Sequence, residues 1–231
     1  MTDSPSATAP SRRLDPVALL AALAVVAAYT RAIWFTPPER IQGYAQKILY
    51  VHAPAAWVAF LAFGLTALAG AGWLFLKDER LDRFAESSAE VGVVFTTAVL
   101  VTGPLWGRPI WGTWWTWDAR LTLTLFLWFV YVGYLVLRGA VDGRESRARA
   151  SAVLGILGAL LIPFIHLSVY LFRTLHPMPV VARPEGPTMP PVMLTTFFFC
   201  FFAFTLLYVA LVRARVAYAA ERDALEDAAR G

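Results

Sequence analysis

Six apolar stretches, each of about 17 residues or more, run through this chain at about 16–35, 48–76, 86–106, 121–137, 150–172 and 191–212. A helix that crosses the roughly 30 Å hydrocarbon layer of a bilayer needs about 20 such residues. The runs are continuous and show no polar alternation, which favours helices over the strands of a membrane barrel. The second is long enough to tilt, and the fifth contains Pro163. Hydrophobic residues make up 58% of the chain and charged residues only 16%, against about 25% in soluble domains. The chain is therefore expected to be an all-α polytopic membrane protein with about six transmembrane helices.

Lys and Arg set the orientation. Thirteen basic residues fall in the two termini and the loops after spans two and four, and seven in the loops after spans one, three and five. The positive-inside rule places the larger set, and both termini, in the cytoplasm. Residues 1–15 then form a disordered cytoplasmic tail, 16–212 a six-helix membrane domain, and 213–231 a cytoplasmic C-terminal tail. Ser11-Arg12-Arg13-Leu14 is faintly similar to a twin-arginine signal, but an uncleaved first span accounts for the same pattern. The last residues read as a solvated helical tail. Glu86 and Glu90, a turn apart near the start of span three, read as a solvated helix end. The net charge of +4 is scattered between apolar runs and is no nucleic-acid footprint. The lone Cys200 excludes a disulfide within the chain, and no C-x-x-C-H is present, so the chain is not itself a c-type cytochrome.

The outward loop after span three carries the chemistry. Five of the nine tryptophans, Trp106, Trp111, Trp114, Trp115 and Trp117, fall in WGRPIWGTWWTWDARLT, residues 106–122. An interfacial aromatic belt explains one or two tryptophans at each span end, not five on one side. Grouped indoles offer apolar faces and N–H donors, which suits a flat apolar ligand with a polar edge. Haem has that shape. Arg108 and Arg120 flank the indoles, and Arg173 and Arg183 lie in the next outward loop, so arginines are at hand for two propionates. Asp118 is placed either to orient an indole N–H or to pair with Arg120.

The three histidines all fall in the outer half. His52 opens span two, His176 follows span five, and His166 lies ten residues before His176. His52 and His176 come from different spans at about one depth and are the candidate axial ligands of haem iron. His166 is set about 15 Å deeper by ten helical residues and reads first as a packing or hydrogen-bonding residue. A structural zinc site, with four close ligands, is not available.

WGTWWTWDARLT resembles the WWD signature of the haem-handling proteins of cytochrome c maturation. Together with the His52 segment, its Pro54, and the TLH that closes on His176, it resembles the CcmC family most closely. The match extends from about Ala45 through His176. The resemblance implies six helices in the bacterial inner membrane. It implies non-covalently and transiently held haem b on the outer face, with axial ligands at His52 and His176. The signature's aromatics and acid map onto Trp111, Trp114, Trp115, Trp117 and Asp118. It also implies delivery of haem to the periplasmic chaperone CcmE, in association with CcmA, CcmB and CcmD, a task of presentation rather than enzymatic catalysis. Two alternatives stand beside it. A haem lyase acting on apocytochrome c would resemble larger chains with a further histidine pair. A permease would export haem through its spans. Leu171 and Phe172 stand where family members often carry tryptophans.

Overall fold

The structure is a computed structural model that describes residues 15–172 and 174–229. The first fourteen residues of the N-terminal tail, with Arg12 and Arg13, lie outside the described residues, as do Arg173 and Arg230. Helices run over α1 (Pro16–Thr30), α2 (Leu49–Leu76), α3 (Glu79–Trp111), α4 (Ala119–Ala140), α5 (Arg144–Ala159), α6 (Leu161–Leu171) and α7 (Pro191–Ala228). A π-helical turn, Arg31–Phe35, extends α1, and a 3₁₀ turn, Tyr44–Ile48, leads into α2. Counting those extensions, and α5 with α6 as one, six helices are long and apolar enough to cross a membrane. The protein is an all-α, multi-pass membrane protein.

The α5–α6 interruption follows from Pro163. Proline has no N–H, so the Ala159 carbonyl loses its partner one turn back, and the helix breaks at Leu160. The other end of the same logic fails in α3. Pro104 and Pro109 lie inside it, yet the helix carries on to Trp111. Gly112, at φ 75°, then stops it with its N–H on the Arg108 carbonyl, a left-handed cap that suits glycine. Trp106, Arg108 and Trp111 thus stand on the last turns of a helix, and only 112–118 form the loop.

Helix α2 sits at the centre, packed against α3, α5 and α7, while α1 leans on α7 and α4 on α3, α5 and α6. Small residues let the backbones close. Ala62 of α2 faces Gly92 of α3, where a Cβ would lie 3.1 Å from the Ala62 Cβ and 2.5 Å from the Phe63 ring. Phe63 stacks on Tyr131 of α4 at 3.7 Å between centroids. Hydroxyls bind the layers further. Ser88 donates to the Ala62 carbonyl at 2.8 Å, and Tyr131 donates to the Gly155 carbonyl at 2.8 Å. In a bilayer, where every helix face meets apolar surroundings, such close packing and polar contacts hold helices together.

Two sequence expectations change at the end of the bundle that carries the chain termini. Helix α7 has 38 residues, a rise of about 57 Å that far exceeds the hydrocarbon layer. Its last turns are not a free solvated tail. Arg222 bonds both oxygens of Glu86 at 2.9 and 3.0 Å, Arg215 reaches Glu90 at 2.6 Å, and Arg144 of α5 pairs with Asp227 at 2.8 Å. Nor is Glu86 a solvated helix end. It is 8% exposed, and the buried Arg138 of α4 grips it at 3.0 Å while making two bonds to Asp82 at 2.7 and 2.9 Å. Arginine's planar fork and the facing acids explain why so many charges are tolerated together.

Candidate functional site

At the opposite end of the bundle, His52 occupies the first turns of α2 and His176 the loop after α6. The two imidazoles lie within electrostatic reach of one another, and both lie within reach of Arg120. Each meets one indole edge-on. Trp106 stands 5.9 Å from His52, and Trp111 stands 5.2 Å from His176. Both indoles come from the last turns of α3, five residues apart, so α3 sets the spacing between the two histidines.

Local chemistry fixes each indole. The Trp106 N–H donates to the Gln42 side-chain carbonyl at 3.1 Å. Gln42 lies in the loop after α1, which Glu39 organises by accepting the N–H groups of Ile41 and Gln42 at 2.8 and 2.6 Å. Those backbone donors hold the Glu39 carboxyl below its ordinary range. Trp111 lies over Gly107 one turn back. A Cβ there would come 3.0 Å from its ring, so glycine makes the space.

The rest of the signature divides. Asp118 caps α4, accepting the Leu121 N–H at 3.0 Å and the Thr116 hydroxyl at 3.2 Å. It takes no indole N–H. By starting α4 where it does, Asp118 carries Arg120 two residues into the helix, beside both histidines. The Arg120 guanidinium makes no hydrogen bond among the described residues and feels Asp118 and Tyr170 electrostatically. Arg108 is exposed, and it donates to the Gly112 carbonyl at 2.6 Å, which commits it to the end of α3. Arg183 pairs with Glu185 at 3.3 Å. Trp115 is half-buried and meets Trp117 edge-on at 5.7 Å, whereas Trp114 and Trp117 are 58% and 76% exposed. The five indoles thus do not form one flat platform. Two hold the histidines, one lies behind, and two face outward. His166 sits on the exposed side of α6, its ring 6.3 Å from Tyr170.

Among the described residues, His176 Nδ1 is buried without a partner, as are Trp115 Nε1 and Thr122 Oγ1 on either side of the α4 start and Gln46 Oε1 and Tyr50 Oη near the start of α2. Buried polar groups almost always find partners, so the His176 Nδ1 is the atom of the pair that is left to meet a polar group from outside the described residues. Burial pushes the His176 imidazole down to about 4, with the nearby Arg120 guanidinium acting the same way and Asp118 opposing it. His176 is therefore neutral at physiological pH, the form that donates a lone pair to a metal. Two imidazoles, a half-buried cation and apolar indole walls fit an iron porphyrin, whose metal takes two axial nitrogens and whose carboxylates need a cation.

Sequence reasoning found both histidines and the tryptophans but missed three partners. Thr102 accepts or donates at His52 Nδ1 at 2.9 Å, Gly103 leaves room for that ring, and Gln42 holds Trp106. Thr102 and Gly103 look like ordinary packing residues of an apolar span, and Gln42 like an ordinary loop residue.

Comparison with known proteins bears on the same region. The family described as heme exporter protein C matches residues 3–229. A protein of that name from Bradyrhizobium diazoefficiens is 41% identical over 175 residues, covering 76% of this chain and 66% of that protein. One from Haemophilus influenzae is 37% identical over 206 residues, covering 88% and 83%. One from Escherichia coli strain K12 is 36% identical over 205 residues, covering 85% and 80%.

Proposed function

The chain belongs to the heme exporter protein C family, and from that membership and the geometry of its histidine pair we propose that it holds haem b at the outer face of the bacterial inner membrane and presents it to the periplasmic chaperone CcmE during cytochrome c maturation. The observation that carries this reading is the convergence of His52 and His176 from separate spans, each set against one tryptophan of α3, beside a half-buried Arg120 with no hydrogen bond among the described residues. His52 and His176 would supply the two nitrogen ligands of the iron. Trp106 and Trp111 keep the two rings from turning, and Arg120 is the propionate partner. Arg108 and Arg183 are committed elsewhere, which leaves Arg120 as the candidate cation of the site among the described residues.

Both termini lie in the cytoplasm, as the distribution of Lys and Arg argues, and the tryptophan end faces the periplasm. The exposed Trp114 and Trp117 stand at the rim, where a chaperone approaches, and CcmA, CcmB and CcmD assemble around the bundle. The chain makes and breaks no covalent bond of haem. Its work is to bind the cargo reversibly in an orientation from which another protein takes it.

Transfer tests this. Haem-loaded protein mixed with purified CcmE and the transporter subunits is expected to yield haem on CcmE, and mixed with apocytochrome c alone to yield none. Covalent haem on the apocytochrome without CcmE would instead make the chain a lyase.

A further inference from the structure

The proton positions around His52 follow from counting donors. The Thr102 hydroxyl has one hydrogen. Its oxygen lies 2.7 Å from the Ala98 carbonyl, one helical turn back, and 2.9 Å from His52 Nδ1. A carbonyl only accepts, so the short contact to Ala98 takes the Thr102 hydrogen, the usual back-bond of threonine within a helix. The oxygen then has only lone pairs to offer His52, and both contacts are satisfied together only if His52 Nδ1 carries the hydrogen. The opposite arrangement, with Thr102 donating to His52, abandons the shorter bond and gains nothing. The ring also has a fitted place. A Cβ on Gly103 would stand 3.3 Å from His52 Cε1, so the imidazole lies against α3 where glycine permits it. Trp106, one turn further along α3, meets the ring edge-on.

We propose that Thr102 is a positioning residue that locks His52 as the Nδ1–H tautomer, with Gly103 shaping its seat, so that Nε2 is the free nitrogen. The inference rests on the haem reading for its consequence: the nitrogen left free is the one that ligates iron. A ligand imidazole is oriented and made more basic by an acceptor on its other nitrogen. His176 has no such acceptor among the described residues, where its Nδ1 is unpartnered. The two ligands are therefore unequal: His52 is fixed on two helices, while His176 sits on a loop.

Isotope-labelled histidine NMR of the haem-free full-length protein in detergent reads the tautomer directly, and with three histidines the signals are assigned from His→Gln variants. Wild type is expected to show His52 with its hydrogen on Nδ1. Thr102→Val and Gly103→Ala are expected to lose that preference, and Thr102→Ser to keep it. In haem titrations Thr102→Val is expected to bind about 10–100-fold more weakly and with a raised reduction potential, while Thr102→Ser stays close to wild type in both. A wild-type His52 with its hydrogen on Nε2 would overturn the proposal, even if Thr102→Val failed to fold. So would a Thr102→Val protein unchanged in tautomer, affinity and potential. If wild type bound no haem at all, the proposed function would fail while the haem-free spectrum still decided the tautomer.

Discussion

At the scale of single residues, the proposed site joins two half-buried imidazoles and one half-buried cation. His176 shows what partial burial does to an imidazole. An unfolded histidine takes its proton near 6.5, and the half-buried His176 near 4. Between those values the unfolded chain binds the proton and the native one does not, so the haem-free fold loses stability as pH falls from 6.5 toward 4 and then levels off. His176→Gln is expected to make that slope shallower in denaturation series across this window. A His176 that titrates at its ordinary value by NMR would contradict the burial argument. The histidines and tryptophans were legible in the sequence because they are scarce or dense: three histidines in all, five tryptophans in one stretch. Thr102 was not legible, because a threonine inside an apolar helix usually bonds only its own backbone, and nothing in the order of residues says that a histidine fifty positions away lies beside it. Asp118 was legible as important but not for its reason, which is to cap α4 and so to place Arg120.

At the scale of elements, span existence was legible from hydropathy, whereas span ends were not. The sequence reading stopped span three near Trp106 and span six near Val212; the helices run to Trp111 and Ala228. The missing N–H of Pro109 costs only one bond near the end of α3, and Gly112 supplies the terminus. The polar end of α7 looked solvated because its charges could not be matched to partners on α3 and α5 without the fold. Those partners have consequences for stability. Arg138 is buried, and removing it leaves Asp82 without its two-bond partner and Glu86 with Arg222 alone. Arg138→Met is expected to cost about 3–5 kcal/mol, whereas Arg149→Met, which breaks an exposed pair with Glu145, should cost under about 1 kcal/mol. Thermal unfolding in detergent compares them, and equal effects would show that the buried network does not hold α3, α4 and α7 together.

At the scale of the whole molecule, six helices put the start of α1 and the later part of α7 at one end of the bundle and the histidine pair at the other. The antiparallel packing of α1 and α7 shows this, with Asp15 beside Arg213 at one end and Arg31 bonded to Thr195 and Thr196 at the other. Charge predicts the orientation in the bilayer. In a Cys200→Ser background, Met178→Cys is expected to react with a membrane-impermeant maleimide on intact spheroplasts, and Ser146→Cys only after permeabilisation; the reverse pattern would put the site in the cytoplasm. The central claim, that His52 and His176 jointly ligate haem, is tested most directly by the absorption spectrum of the purified protein from haem-replete cells lacking CcmE, alongside its His52→Ala, His176→Ala and His166→Ala variants. The account predicts a low-spin bis-imidazole haem spectrum that is lost or altered in the first two variants and kept in the third. Wild-type protein without haem, or a spectrum that depends on His166 and not on the pair, would contradict it.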